Sequence, residues 1–158
     1  WTFLHNGTGF TMFVVQKNTA TDAYYILGTQ NGSGANRGFG LVRLSSTSTR
    51  LAIGDGSSQI AGSDFTMTQN SWSKLCAYGD TGTNPDYYVR LNGSATTDTN
   101  ESGALSATVS PYALGIGVGG AGNYSTNASF HEVIIYNRKL TDMEITQIEA
   151  YLNYVYGL

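Results

Sequence analysis

The chain has little charge, a single cysteine and no long apolar run. Charged residues make up 12% of its 158 residues, about half the share typical of soluble domains. Cys76 stands alone, which excludes an intrachain disulfide and leaves the redox compartment open; we expect a small buried hydrophobic residue there. No run approaches the ~18 apolar residues of a membrane-spanning helix. We therefore expect no membrane insertion.

Basic residues are also few and scattered. The chain carries eight Lys and Arg, and its formal net charge is −3. A groove for nucleic acid needs clustered Lys and Arg to displace the counterions of the phosphates, and no such cluster is visible. The composition thus argues against a nucleic-acid partner.

The C-terminal segment predicts one amphipathic helix. Thr141 and Glu144 have the spacing of a capping box, and Gly157 is placed to end the helix. Six apolar side chains share about 140° of the helix circumference; they are Ile145, Ile148, Tyr151, Leu152, Val155 and Tyr156. We expect this stripe to be buried.

The rest of the chain reads as strands and turns. Apolar or alternating segments bounded by Gly, Ser, Thr and Asn predict eight to ten strands. The segments are 9–17, 23–28, 38–44, 50–53, 72–78, 86–91, 112–118 and 130–136. Segment 9–17 is apolar on both faces, as expected of a central strand, and Asn92-Gly93 is a hairpin turn signal. Many strands with one helix favour a two-sheet sandwich or jelly roll.

The length and the first residue bear on domain organisation. A chain of 158 residues is one domain by size, large enough to bury ~70% of its extended surface. It contains no linker and no internal repeat. Because it opens on Trp1 rather than Met, we expect a single domain, residues 1–158, within a longer chain or assembly.

Two sequence segments resemble a known family. WSKLCAYGD followed by DYYVRLNGSAT, and LGIGVGG followed by FHEVIIYNRKLTDMEITQIEAYLNYVYGL, resemble the laminin-G-like, concanavalin-A-like jelly rolls. The resemblance spans residues 9–158, and the last thirty residues are its specific part. It implies an all-β fold, a two-sheet antiparallel jelly-roll sandwich with one C-terminal α-helix. Members of this family mostly bind glycans or protein partners, and some hold calcium at the loop rim.

Glycosidases on this fold carry two or three acids alternating on one strand, which this chain lacks. The only strand acid near the corresponding place is Glu132, and its outward-facing neighbours Ile134 and Tyr136 are not acids. The sole histidines are His5 and His131, and no G-x-S-x-G motif occurs. We predict that the protein is not an enzyme. Glu132 is expected to make a structural contact, with Arg138 as a candidate partner.

Glycan recognition combines aromatic faces with polar groups that orient hydroxyls. In DYYVRLN, Tyr88 and Arg90 share the more polar strand face, and we expect Arg43 on the same exposed sheet face. With Tyr124 in a loop, these residues form the predicted glycan site. The alternative is that they are ordinary residues of a solvated sheet face. Trp72 is expected to be a core anchor.

Calcium is the only cofactor that the sequence suggests. Asp55 in IGDGSS and Asp22 in TATDAYY lie among small residues that let carbonyl oxygens turn inward. Asp80 and Asp86 are close enough in sequence to meet at one loop. Those two acids are a candidate catalytic pair, but their spacing is ordinary for a solvated turn. For Asp55 and Asp22, the alternative is a turn residue whose carboxylate bonds the local backbone.

Two functions from different classes remain. The first is a non-catalytic carbohydrate-binding or adhesion module on a secreted or particle-surface protein. The second is a structural decoration or fibre domain of a phage or virus particle, whose partner is a protein. Both place the protein outside the cell or on the virion surface.

Overall fold

The computed structural model describes residues 1–19, 23–30, 37–55, 59–61, 64–82, 86–96, 112–118, 120 and 127–158. For residues 37, 55 and 59–61 it describes the backbone alone. A 3-10 turn at Thr2–Leu4 precedes the strands. The strands described are β1 Thr8–Lys17, β2 Tyr24–Gly28, β3 Arg37–Arg43, β4 Thr49–Asp55, β5 Gln59–Ala61, β6 Trp72–Thr81, β7 Tyr87–Leu91, β8 Ser94–Ala95, β9 Gly115–Ile116 and β10 Ser129–Tyr136. Helix α1 spans Asp142–Tyr156.

These strands form two antiparallel sheets of five strands each within the described residues. The first sheet has the order β10-β1-β6-β7-β8, and the second has the order β5-β4-β3-β2-β9. Strand neighbours come from distant parts of the chain, since β1 pairs with both β6 and β10. The fold is therefore the all-β jelly-roll sandwich expected from the resemblance.

The main core lies between the two sheets, where side chains of alternating strand positions meet. Phe10, Met12 and Val14 of β1 enter this core, together with Phe39 and Leu41 of β3. The Phe10 and Phe39 rings meet edge to face, with centroids 5.3 Å apart. Such aromatic contacts add to the stabilisation from burial of apolar area.

Helix α1 forms a third layer on the outer face of the first sheet. Phe13, Val15 and Cys76 on that face pack against Leu140, Ile145 and Leu152 in a second buried cluster. This explains why β1 is apolar on both faces: one face meets the second sheet and the other meets the helix. The prediction of a central strand at 9–17 is confirmed.

The helix ends are as the sequence predicts. The Thr141 side chain accepts a hydrogen bond from the Glu144 backbone N–H, and the Glu144 side chain accepts one from the Thr141 N–H. Gly157 adopts a left-handed conformation with φ of 67° and ends the helix. Helix α1 is too short and too polar to cross a membrane, as is the other helical turn of the described segments.

The helix is rotated relative to the predicted stripe. Ile145 and Leu152 are buried, but Tyr151 and Val155 are about half exposed. Glu149 is buried instead, with 5% of its surface exposed. The expectation for Tyr151 and Val155 was wrong, because an ion pair of Glu149 with the sheet, described below, turns the acidic side inward.

The strand predictions hold with three differences. Segment 112–118 contains only a two-residue strand, β9, which pairs with Leu27 and Gly28 of β2. The short strands β5 and β8 have too few residues to show a pattern in the sequence. The Asn92-Gly93 turn joins β7 to β8, and its two φ angles of 52° and 85° are those of a type I′ hairpin turn.

Candidate functional site

Tyr88 and Arg90 lie on the outer face of the first sheet, as predicted. Their neighbours Tyr87 and Val89 point into the core between the sheets. Tyr88 and Arg90 are half-buried beside helix α1. The alternation of side chains along β7 thus places one aromatic ring and one guanidinium on the same outer surface.

Tyr88 forms a ring pair with Tyr78. The two residues are directly opposite each other on β7 and β6. Their ring centroids are 5.1 Å apart, and the ring planes are inclined by 20°. This offset stacking of cross-strand neighbours holds both rings at the surface in one orientation.

Three charged side chains surround the ring pair. The ammonium of Lys139 lies 5.7 Å from the centroid of each ring and forms an ion pair with Asp80. The Tyr88 hydroxyl donates a hydrogen bond to Asp86 Oδ2 at 3.3 Å. The backbone N–H of Asp80 donates to the Asp86 carbonyl at 2.9 Å, so both acids are anchored where β6 ends and β7 begins. We call these five residues the tyrosine cluster.

The electrostatics of the tyrosine cluster define its protonation states. Burial and the neighbouring Asp86 carboxylate raise the pKa of Tyr88, and burial raises the pKa of Tyr78. The hydrogen bond to Asp80 raises the pKa of Lys139. At neutral pH both hydroxyls therefore keep their protons and the ammonium keeps its charge. The cluster presents aromatic surface, hydroxyl donors and carboxylate acceptors together.

Arg90 is engaged with helix α1. Its Nε donates to Glu149 Oε1 at 2.9 Å and its Nη2 donates to Glu149 Oε2 at 2.8 Å. The same Nη2 donates to the Gly93 carbonyl at 2.6 Å. Arg90 is thus positioned as predicted, but its guanidinium joins the helix to the sheet. Tyr88, the other member of the predicted pair, donates its hydroxyl to Asp86 instead.

Lys74 and Glu149 lie next to Arg90 in the contact between sheet and helix, and the sequence did not reveal this. The buried ammonium of Lys74 donates to the Glu149 carbonyl at 3.1 Å and to Asn153 Oδ1 at 2.6 Å. Burial lowers the pKa of Lys74. A signal existed for Glu149, which follows Ile145 by four residues and precedes Leu152 by three. An acid at that spacing lies at the margin of the apolar stripe.

Arg43 is a correction to the predicted site. It lies in β3 of the second sheet and is fully buried, with 0% of its surface exposed. Its Nη2 donates to the carbonyl of Ser46 in the hairpin tip that follows β3, and burial lowers its pKa. Side chains alternate between the two faces of β3, so Arg43 points to the same side as Phe39 and Leu41, which lie in the core. In this structure Arg43 is screened from solvent and from any glycan.

The region around Glu132 also differs from expectation. Glu132 accepts a hydrogen bond from the Tyr156 hydroxyl at 3.0 Å. Arg138, its expected partner, instead forms an ion pair with Glu144 at 2.6 Å. Both acids are six positions from Arg138 in the chain, but Arg138 lies in the link just before the helix, and Glu144 is in the first turn of that helix. A structural contact of Glu132 is confirmed, with a different partner.

Trp72 and His131 form a stack at the edge of the first sheet. Val15 and Gln16 of β1 pair with Glu132 and Phe130, which leaves His131 as the extra residue of a β-bulge. Its ring lies 3.7 Å from that of Trp72. Trp72 is half-buried and packs with the cluster under the helix. Trp72, expected in the core, therefore packs between the first sheet and the helix.

The remaining predicted residues concern the metal and the loop aromatic. Asp22 and Tyr124 lie outside the described residues. The backbone of Asp55 ends β4 opposite Arg37, and its side chain is not described. In the parts of the chain that the structure covers, no three His, Cys, Asp or Glu side chains converge as metal ligands would. Calcium binding by Asp55 and Asp22 stays a prediction.

A shallow cleft of about 310 Å³ opens at the edge of the sandwich. It lies between the β7–β8 hairpin and the segment that follows β5, and its lining residues are Asp64, Phe65, Thr66, Leu91, Ser94, Ala95 and Thr96. Arg50 Nε donates to Asp64 Oδ1 at 2.7 Å, and this hydrogen bond lowers the pKa of Asp64. Phe65, the one ring lining the cleft, is buried, with 6% of its surface exposed.

The sequence model of the concanavalin A-like lectin/glucanases superfamily matches residues 3–146. The chain belongs to this superfamily. No curated protein sequence is significantly similar to it. Membership agrees with the two sheets and the helix described above.

Several solved structures share the superfamily fold with this chain. The CBM40 of the Ruminococcus gnavus IT-sialidase aligns with a TM-score of 0.70 and 16% identity, over 94% of this chain and 84% of that one. A botulinum neurotoxin serotype C/D mosaic receptor-binding domain aligns with a TM-score of 0.61 and 13% identity, over 90% and 36% of the two chains. The binding domain of botulinum neurotoxin DC, solved with rat synaptotagmin II, gives 0.63 and 13%, over 94% and 37%.

These similarities have different extents. The superfamily member described here spans a little over a third of the neurotoxin receptor-binding domains but most of the sialidase CBM40. At such identities the likeness concerns the fold, and function lies in sites that differ between members of one fold.

Proposed function

We propose that this protein is a non-catalytic carbohydrate-binding module of a secreted or surface-exposed protein, and that the tyrosine cluster contacts the sugar. The observation that carries the proposal is the Tyr78–Tyr88 ring pair with hydroxyl, ammonium and carboxylate groups at its rim. Aromatic faces pack against the C–H surfaces of sugars, and the polar groups orient hydroxyls. Binding sites of this kind combine apolar area with a few placed polar groups.

The structural relatives support the same class of ligand. The CBM40 of the R. gnavus IT-sialidase has been solved with α2,3-sialyllactose bound. Cell entry of botulinum neurotoxin type C depends on interaction with two ganglioside molecules. Both are glycan-bearing ligands, and both proteins share the fold of this chain.

The placement of Glu132 supports the non-catalytic part of the proposal. Retaining glycosidases need a second acid ~5–5.5 Å from the first. Glu132 already accepts the Tyr156 hydroxyl, and Ile134 and Tyr136 occupy the following outward positions of β10. The proposal therefore expects no release of reducing sugar from polysaccharides by the wild-type protein, measured by a reducing-end assay.

The first prediction is that Tyr88→Ala weakens glycan binding at least about tenfold, equivalent to ~1.4 kcal/mol. The variant removes one ring of the pair and the hydroxyl that donates to Asp86. An oligosaccharide array identifies the ligand, and titration calorimetry measures its affinity. Tyr154→Ala is the matched control, because this tyrosine is 91% exposed on the helix and lies outside the tyrosine cluster.

Three outcomes are decisive. Loss of binding in Tyr88→Ala, with thermal stability and Tyr154→Ala binding retained, supports the proposal. Binding that survives Tyr88→Ala but is lost in Ser94→Trp, which would fill the edge cleft, moves the site to that cleft. No saturable binding by the wild-type protein contradicts the proposed function.

The second candidate is a structural domain that contacts a protein in a phage, virus or cell-surface assembly. Exposed apolar side chains on the outer face of helix α1 favour it, namely Met143, Tyr151, Tyr154 and Val155. A neurotoxin binding domain with this fold has also been solved with a protein partner. This alternative expects no array signal and a single cross-linked protein from a photoreactive residue at position 154.

A further inference from the structure

We propose that the tyrosine cluster selects neutral sugars and discriminates against acidic ones. The inference rests on the proposed carbohydrate-binding function and adds the chemical class of the ligand. Its basis is the balance of charges around the ring pair.

The carboxylates of the cluster outnumber its cations. Lys139 is the only cation in contact with both rings among the described residues, and Asp80 already pairs with it. The Asp86 carboxylate lies beside the Tyr88 hydroxyl. Within the tyrosine cluster, two carboxylates therefore face one ammonium.

Other nearby cations are already neutralised. The Arg90 guanidinium on the same sheet face is held by both oxygens of Glu149. Arg138, next to Lys139 in the chain, is paired with Glu144 through both terminal nitrogens. The positive N-terminal end of helix α1 is capped by Glu144 and carries Asp142. The Lys74 ammonium on this sheet face bonds only neutral acceptors, but it is buried under the helix. Among the described residues around the ring pair, no exposed basic group is therefore left unpaired to receive an anion.

A neutral sugar finds its partners without breaking these contacts. Its hydroxyls donate to the remaining oxygens of Asp80 and Asp86 and to the Tyr88 hydroxyl oxygen, and accept from the Tyr78 hydroxyl, while a C–H face packs on the rings. The carboxylate of an acidic sugar would have to compete with Asp80 for Lys139 and would approach Asp86. A like charge at about 4 Å in water costs roughly sixfold in affinity. The chain as a whole, with a net charge of −3, adds to this repulsion.

Matched glycans test the inference. The wild-type protein is applied to an array in which each neutral oligosaccharide stands beside its sialylated or sulfated counterpart, lactose beside α2,3-sialyllactose for example. We expect the neutral member of each recognised pair to bind at least about fivefold more tightly at low ionic strength. The preference is expected to shrink as salt rises from 10 to 500 mM, because ions screen surface charges.

A charge variant gives the second readout. Asp86→Asn retains an oxygen that accepts from Tyr88 and removes one negative charge, so it should bind the acidic counterpart several-fold more tightly than the wild type. Its neutral-sugar affinity should fall, because the substitution also removes a carboxylate oxygen that accepts from the sugar, so the ratio of acidic to neutral affinity is the readout. Asp64→Asn in the edge cleft is the matched control and should leave the preference unaltered.

The outcomes separate this inference from the proposed function. Tighter binding of the acidic members, lost in Tyr88→Ala, would overturn the neutral preference and leave the carbohydrate-binding proposal standing. Equal binding of both members at low salt would also overturn it. An array on which nothing binds would contradict the proposed function itself.

Discussion

At the scale of single residues, the contact between Glu149 and the sheet organises the outer layer. Glu149 accepts both hydrogen bonds from Arg90, and Lys74 donates to its backbone carbonyl. The two cations are on neighbouring strands, β6 and β7. A buried carboxylate is tolerated there because both of its oxygens have charged donors. The ion pair also determines which side of the helix faces the protein.

We predict that Glu149→Ala lowers the free energy of unfolding by about 2–3 kcal/mol. Removing one partner of a buried pair costs about 3–5 kcal/mol, and the partial exposure of Arg90 reduces that figure. Urea unfolding measured by tryptophan fluorescence gives the value. The exposed neighbour Gln147→Ala should change stability by no more than about 0.5 kcal/mol.

The double variant Glu149→Leu with Arg90→Met separates pairing from packing. It should recover part of the loss, because the Arg90 guanidinium is then no longer present without a partner, while Lys74 keeps its bonds to the backbone carbonyl at position 149 and to Asn153. A loss of less than about 0.5 kcal/mol in Glu149→Ala would show that Arg90 finds an equivalent partner in water, and would remove this ion pair from the account of helix docking.

Side chains alternate between the two faces of a strand, so the sequence predicts which residues face the core wherever this alternation is assigned correctly. Tyr88 and Arg90 alternate with the core residues Tyr87 and Val89, so their outward direction followed from β7 alone. Arg43 has the parity of Phe39 and Leu41, which points it inward. Charged side chains are usually exposed, but Arg43 occupies an inward position and is buried. Its Nη2 donates a hydrogen bond to the Ser46 carbonyl in the hairpin tip.

At the scale of elements, helix α1 combines local and tertiary control. Its start is local, since Thr141 and Glu144 satisfy each other's backbone N–H groups. Arg138 binds the same carboxylate from the link before the helix, with Nη1–Oε2 at 3.0 Å. The hydrogen bonds from Arg138 and from the Thr141 backbone lower the pKa of Glu144 to about 2. The helix N-terminus is thus tied to the end of β10 by one acid.

This pKa shift predicts a pH-dependent contribution to stability. Because the folded-state pKa of Glu144 lies below its unfolded value of 4.5, the contribution is present above pH 4.5 and is lost as pH falls towards 2. Glu144→Gln should be less stable than the wild type at pH 7, with a difference that closes between pH 4.5 and 2. Thermal unfolding at several pH values measures it.

Glu132→Gln is the matched control. Glu132 accepts a hydrogen bond from the Tyr156 hydroxyl and takes no part in the helix cap. The stability difference between Glu132→Gln and the wild type should therefore not follow the pH dependence seen for Glu144→Gln. A Glu144→Gln difference that stays constant from pH 7 to 2 would mean that the carboxylate charge contributes nothing to the cap.

Strand β10 was predicted from its own sequence, but its bulge was not. The sequence FHEVIIY predicted a strand, and Ser129–Tyr136 confirms it. The bulge that turns His131 onto Trp72 depends on pairing with β1, 115 residues or so earlier in the chain. A bulge is a property of two strands, so one strand's sequence did not reveal it.

At the scale of the whole molecule, three layers enclose two cores. The second sheet, the first sheet and helix α1 are stacked in that order, and β1 and β6 contribute to both cores. Cys76 of β6 lies in the outer core with 0% of its surface exposed. Burial raises the pKa of its thiol far above neutrality. Its reactivity therefore reports whether the helix stays on the sheet.

We predict that a thiol reagent labels native Cys76 at least about a thousandfold more slowly than the unfolded chain, as expected where only rare opening exposes the thiol. Leu152→Ala, which weakens the packing of the helix on the sheet, should raise the labelling rate in the absence of denaturant. Met143→Ala, on the exposed side of the helix, is the control and should leave the rate unchanged.

Rapid labelling of the wild-type protein would contradict the layered arrangement, since it would place Cys76 within reach of solvent. Equal rates in Leu152→Ala and the wild type would show that the thiol is exposed by a motion other than release of the helix. Mass spectrometry of the labelled protein over time distinguishes these results.

The sequence by itself determined the elements whose causes are local. The capping box, the glycine stop, the Asn92-Gly93 turn and the apolar alternation of the long strands all depend on residues a few positions apart, and the last thirty residues sufficed to indicate the family. The tertiary structure alone decided which side of the helix faces the sheet and which residues surround Tyr88. Lys139 meets Asp80, and Arg90 meets Glu149, each across 59 positions of sequence. Those contacts arise because antiparallel pairing places β6 and β7 beneath the C-terminal helix, and no local pattern encodes that neighbourhood.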